Sequence, residues 1–152
     1  MALNPEYTPL TKNDTSVRRW NDLKKHPIRS TGHYHCALVV LSNNKSVGVY
    51  HHPASDADGE AAKIKIGDLT KRLGKVSTSC VIHRSGNSYS QTDLIHKVEK
   101  SLGIEPKHII DKNLSDLFQE DTPVDIFITD EGIYAMKDGH AEILVSSIQL
   151  RQ

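Results

Sequence analysis

GHYHCALVVLSNNKSVGVYHH, residues 32–52, decides how this chain is read. CALVVL is a short run rich in β-branched side chains, the length of a buried strand rather than of a helix. SNNK supplies turn residues, and SVGVY follows as a second apolar segment. Residues 35 to 51 therefore predict a β-hairpin. A hairpin joins what the chain separates: Cys36 opens one arm and His51 and His52 close the other, so they fall near each other, with facing side chains about 5 Å apart. Val47, Val49 and His51 share one face by the two-residue period of a strand.

Working outward, VSTSCVIH (76–83), a strand around His108 to Ile110, two strands in VDIFITDEGIYAM (124–136) and a last one in AEILVSSIQL (141–150) extend the strand-rich pattern. TDLIHKVEKSLG (92–103) is the clearest helix, with Leu94, Ile95, Val98 and Leu102 on one stripe and Gly103 stopping it. KIKIGDLTKRLG (63–74) starts as alternation and turns helical from Asp68, after a loop-like PASDADGEAA. TSVRRWNDLKK (15–25) predicts a short helix ended by Pro27, within a polar arm over residues 1–29 on which Trp20 serves as a docking anchor. The expected fold is α+β: a layered, mostly antiparallel sheet core with one main helix and short flanking helices. Residues 30–152 form a single catalytic domain after the arm.

Composition excludes several function classes. The chain has 152 residues, with 19 basic side chains against 19 acidic ones. A neutral chain lacks the phosphate-directed field of a nucleic-acid binder, so no nucleic acid is expected as partner. No apolar run reaches the length of a membrane helix, and MALNPEYTPLTKND lacks the basic start and apolar core of a Sec signal. Two cysteines among 152 residues do not make a disulfide scaffold, so a reducing compartment is the default.

Cys36 and its histidines admit three readings. A cysteine before ALVVL can simply be core, as Cys80 inside STSCVIH is expected to be. His33 and His35, two residues apart and pointing the same way when extended, could join Cys36, His51 and His52 around zinc, although no metal-ligand motif is matched. Or Cys36 is a nucleophile and the hairpin delivers its base. Cys80 has only His83, three residues on and facing the other way. The segment after Cys36 is strand-like, which disfavours a papain-like fold, where the thiol sits at a helix N-terminus. Asp125, Asp130, Glu131, Asp56 and Asp58 read as turn or solvated loop carboxylates.

TGHYHCALVVL, a cysteine opening a buried strand, and GVYHHPAS, a histidine about fifteen residues later, resemble the glutamine deamidase superfamily that includes the chemotaxis deamidase CheD and the catalytic domain of cytotoxic necrotizing factor. KVSTSCVIHRSGN followed by TDLIHKVEKSLG is similar to that family's central strand, glycine-containing loop and helix, and PVDIFITDEGIYAM with AEILV to its closing hairpin. The resemblance covers residues 30 to 145. It departs at Tyr34 and His35, where relatives carry Gly or Ser before the cysteine.

The resemblance implies hydrolysis of a glutamine side-chain amide in a target protein, through a thioester on Cys36. His51 would be the base, with His52 as the reserve. The hydroxyl of Ser30 or Thr31 would orient it, at the place where relatives carry a Thr about six residues before the cysteine. His35, His52, His83 and Asn87 would contact the substrate. No metal or organic cofactor is implied. The expected partner is a protein carrying the target glutamine, acted on by a monomer made in a bacterial cytoplasm and delivered by a dedicated secretion system as an effector or toxin. A cysteine peptidase or transglutaminase using the same dyad, and a non-enzymatic His-rich binding module, stand as alternatives.

Overall fold

A computed structural model describes residues 7–33, 35–84, 91–118, 123–137 and 139–152. Two five-stranded sheets face each other. One runs β1 (Thr8–Leu10), β3 (Ile28–His33), β8 (Val124–Thr129), β9 (Gly132–Lys137) and β10 (His140–Ser146). The other runs β2 (Thr15–Arg19), β5 (Ser46–His52), β4 (Ala37–Ser42), β6 (Thr78–His83) and β7 (His108–Asn113). Among the described residues only β1 with β3 and β6 with β7 pair in parallel. The helices α1 (Glu60–Leu73) and α2 (Gln91–Ser101) cover the outer face of the second sheet. The architecture is the layered α+β arrangement that the sequence predicts.

Alternation along β4 and β5 sorts the core into two layers. Leu38, Val40, Val47 and Val49 point between the sheets, onto Ile28, Val124, Ile126, Ile128 and Ala135. Ala37, Val39, Leu41 and Tyr50 point the other way, onto Ala62, Ile66 and Leu69 of α1 and Ile95 and Val98 of α2. Both faces of β4 are therefore buried, which is why Ala37 to Leu41 read as one apolar run.

Three expected elements differ. α1 starts at Glu60, not at Asp68. Its buried positions Ala62, Ile66 and Leu69 follow helical spacing, and the alternation came from Ile64, which is 64% exposed. Residues 15–25 form β2 and a short 3-10 helix (Trp20–Lys24) instead of an α-helix, because Thr15, Ser16 and Val17 pair with Tyr50, Val49 and Gly48. Trp20 is 1% exposed in the inter-sheet core, and its indole N–H donates to the Asn43 carbonyl. The stretch read as a polar arm thus contributes a strand to each sheet. Finally, the last strand ends at Ser146, which caps a short α3 (Ser147–Leu150) through a reciprocal bond pair with Gln149.

α2 is tied to the edge strand β7 by His96, whose Nδ1 bonds Glu99 Oε1 at 2.7 Å and whose Nε2 bonds Asp111 Oδ1 at 3.0 Å. The Glu99 hydrogen bond, with Asp111 adding to it against burial, pushes His96 up to about 9. A raised folded value contributes stability that is complete below the ordinary histidine range and is lost as pH rises through about 9. Thermal melts should therefore fall between pH 6.5 and 9.5 in the wild type, and His96→Gln should remove most of that slope.

Candidate functional site

The hairpin forms with a three-residue connection, Asn43 to Lys45, in which Asn43 Oδ1 accepts from the Lys45 and Ser46 N–H groups. Its register sets the site. Ala37 faces His52 and Leu38 faces His51, so His52 sits one step and His51 two steps further in than a direct pairing with Cys36 would give. Continued by one residue, the ladder puts Cys36 on the face of Leu38 and His51, diagonal to His51 at roughly 7–8 Å between backbones. Long side chains reach across such a diagonal. The two cysteines separate here. Cys80 lies in the inter-sheet core, and burial pushes its thiol up to about 12. Cys36, 8% exposed, belongs to neither apolar cluster.

Ser30 meets His51 from the opposing sheet. Its hydroxyl lies 3.1 Å from His51 Nδ1 and 2.6 Å from His33 Nε2. Thr31, partly exposed on the other face of β3, makes neither contact. His33 and His35 do not point the same way: His33 is fully buried and His35 is exposed. Strand β3 ends at His33, so His35 lies beyond it, where the two-residue period no longer applies. Within β3 a bulge shifts the register on β8 between Ser30 and His33, where Gly32 has φ +72°. That bulge adds a residue to the alternation, so Ser30 and His33 face inward together. Asp125 holds it, accepting from the Gly32 N–H at 3.2 Å while pairing with Arg29 at 2.6 Å, so this carboxylate is a bulge anchor and not a solvated bystander. Gly32→Ala meets no neighbouring atom, so only the left-handed backbone resists it. We expect a loss of about 1 kcal/mol by denaturant titration, accompanied by a larger relative loss of Cys36 reactivity as Ser30 and His33 lose their common phase.

The rings of His33 and His51 stack with centroids 4.1 Å apart and planes 18° apart. His33 Nδ1 reaches the Cys36 carbonyl at 3.3 Å. Burial, and then the neighbouring His51, push His33 down to about 3, so it is neutral. Burial also lowers His51, with Lys12 and His52 in the same direction and the Leu10 carbonyl and Asp14 opposing. The Leu10 carbonyl lies near the ring, but among the described residues the buried His51 Nε2 has no partner within hydrogen-bond geometry. A neutral, oriented imidazole with a buried nitrogen not hydrogen-bonded among the described residues has the form that a general base requires.

His52 is differently engaged. It is fully buried on the helix side, with Nδ1 2.9 Å from Gln91 Oε1 and Nε2 2.9 Å from Asp56 Oδ2. Both partners are acceptors: Gln91 Oε1 also takes the Ala37 N–H, and Asp56 takes the N–H groups of Ala61 and Ala62. Both ring nitrogens are therefore engaged by oxygen partners, which leaves neither directed at Cys36. Asp56, expected as a solvated loop charge, instead caps the first turn of α1 and is a hydrogen-bond partner of His52. Burial works to raise its carboxyl, but the two backbone bonds and His52 together hold it below the usual carboxylate range.

Gln91 is the residue that the sequence did not reveal. Its Nε2 donates to the His35 carbonyl and its Oε1 accepts from the Ala37 N–H, so one amide brackets Cys36. Nothing in SYSQTD marks this glutamine. Asp56 did carry a signal, a carboxylate shortly before a Gly and a helix start. His83 ends β6 one residue beyond the Leu38–Ile82 pair, half-buried and on the helix-side face, away from His51. Burial lowers it, against Asp111 and Asp116. Asn87 and Tyr34 lie outside the described residues. Among the described residues no group of three or more His, Cys, Asp or Glu side chains is placed to hold a metal ion, and no helix is long and apolar enough to cross a membrane.

No family model matches the chain, and no curated protein does. Among solved structures it is similar to the Neisseria meningitidis protein NMB0706, of the family DUF152, with a TM-score of 0.47 and 12% identity over 70% of this chain and 63% of that one. It is also similar to the C-terminal domain of CNFy from Yersinia pseudotuberculosis, with a TM-score of 0.45 and 7% identity over 91% of this chain and 60% of that one. The chain thus spans less than two thirds of either structure's length.

Proposed function

We propose that the protein is a cysteine hydrolase that deamidates glutamine side chains in a target protein. The observation that carries this reading is His51: neutral, held at Nδ1 by Ser30, with Nε2 unused, on the face of the ladder that Cys36 continues. The choice of a glutamine carboxamide rests on the resemblance of residues 30 to 145 to the deamidase superfamily.

Cys36 Sγ attacks the carboxamide carbon while its proton passes to His51 Nε2, and the carbonyl oxygen becomes an oxyanion. His51 returns that proton to the nitrogen, the C–N bond breaks, and ammonia leaves a thioester on Cys36. Water then loses a proton to His51 and attacks the thioester; the C–S bond breaks, giving glutamate and the free thiol. The Ala37 N–H already bonds Gln91, so the oxyanion must draw on other donors.

A library of glutamine-containing peptides incubated with the wild type should yield ammonia and products with the mass of the corresponding acid. Cys36→Ser should leave the fold intact and abolish both. Equal ammonia release by Cys36→Ser would refute the mechanism, and chain cleavage without ammonia would mark a peptidase instead.

A further inference from the structure

We propose that His33 is a positioning residue: it fixes His51 as the Nδ1–H tautomer and thereby presents a bare Nε2 to the thiol. Its chemical purpose rests on the Cys36–His51 reading above. One end of the chain of bonds has a polarity beyond choice. A backbone carbonyl only accepts, so His33 Nδ1, 3.3 Å from the Cys36 oxygen, carries the hydrogen. A neutral imidazole has one hydrogen, so His33 Nε2 is bare and accepts. The Ser30 hydroxyl, 2.6 Å away, must spend its single hydrogen there. Its lone pairs then face His51 Nδ1 at 3.1 Å, which must donate. His51 Nε2 is left without a hydrogen and, among the described residues, without a partner.

The reverse polarity has one thing in its favour, the Leu10 carbonyl near the His51 ring, toward which an Nε2–H could turn. It would also set the bare nitrogen of His33 against the Cys36 carbonyl, two electron-rich atoms in a buried site, and would deprive Cys36 of its base. The orientation of the base is thus written from the backbone of the nucleophile's own residue, through His33 and Ser30. Stacking of the two rings and the Gly32 bulge keep the relay in line.

The test is a long-range nitrogen–proton correlation spectrum of the full chain labelled at histidine. His51 in the wild type should show a protonated Nδ1 and an unprotonated Nε2. His33→Phe keeps the stacking but offers neither donor nor acceptor; it should give a mixture of His51 tautomers and slow alkylation of Cys36 by iodoacetamide about tenfold or more. His33→Gln, which supplies one donor and one acceptor, should restore both. A wild-type His51 carrying its hydrogen on Nε2 would overturn the proposal without any variant, as would a His33→Phe protein with an unchanged tautomer and rate. Absence of amide hydrolysis by a wild type whose His51 is the Nδ1–H tautomer would count against the deamidase reading alone and leave the tautomer assignment standing.

Discussion

Replacing His51 by Asn should lower turnover by about 10²- to 10⁴-fold, the range a general base contributes, with the fold retained. The residue is 2% exposed, and Asn keeps a donor for Ser30 while removing the nitrogen proposed as the base. The pH profile should carry the same information. Burial holds His51 below the ordinary histidine value, and a base works unprotonated. The acid limb of kcat/KM should therefore lie below pH 6.5, with activity rising as pH climbs through it. His52→Asn predicts the contrary split. It removes a ring whose two nitrogens are already committed to Gln91 and Asp56, so stability should suffer first and the acid limb should stay where it is.

The second large effect is on stability. Asp56→Ala should cost about 3 kcal/mol, combining a stranded His52 with the lost cap of α1. His52 is fully buried, and Asp56 supplies the oxygen facing its Nε2 as well as the acceptors for Ala61 and Ala62. The sign of the pH dependence follows from a carboxyl held low in the folded state. The stabilisation is present above about pH 3.8 and is lost as pH falls through the folded value. Wild type and Asp56→Ala should therefore converge in stability as acid titrates Asp56. Because Asp56, His52 and Gln91 form one line ending on the His35 carbonyl and the Ala37 N–H, the variant should also loosen the backbone at Cys36. Faster amide exchange at Ala37 would report it.

The hairpin was legible because both of its faces are buried, which produces an uninterrupted apolar run with turn residues between the arms. Its register was legible only to within a step, since period-two alternation does not say which residue faces which across a three-residue connection. The role of His33 was hidden for a related reason. Alternation carried past the end of β3 groups it with His35, whereas the bulge at the left-handed Gly32 puts it in phase with Ser30. α1 was misread because the exposed Ile64 beside the buried Ile66 imitates a strand. Gln91 could not have been found: a glutamine's value here lies in three partners contributed by distant segments, and no local pattern records them. Ser30, by contrast, was paired with Thr31 as an orienting hydroxyl, and strand alternation decides which of the two faces His51.

The most direct test compares alkylation of the two cysteines by iodoacetamide at neutral pH, resolved by peptide mass, in the wild type and in His51→Asn. Cys80 is the internal reference, a buried core thiol pushed up to about 12. Cys36 should react far faster than Cys80 in the wild type, and His51→Asn should remove most of that advantage. A Cys36 no more reactive than Cys80, or one indifferent to the loss of His51, would contradict the pairing of nucleophile and base on which this account rests.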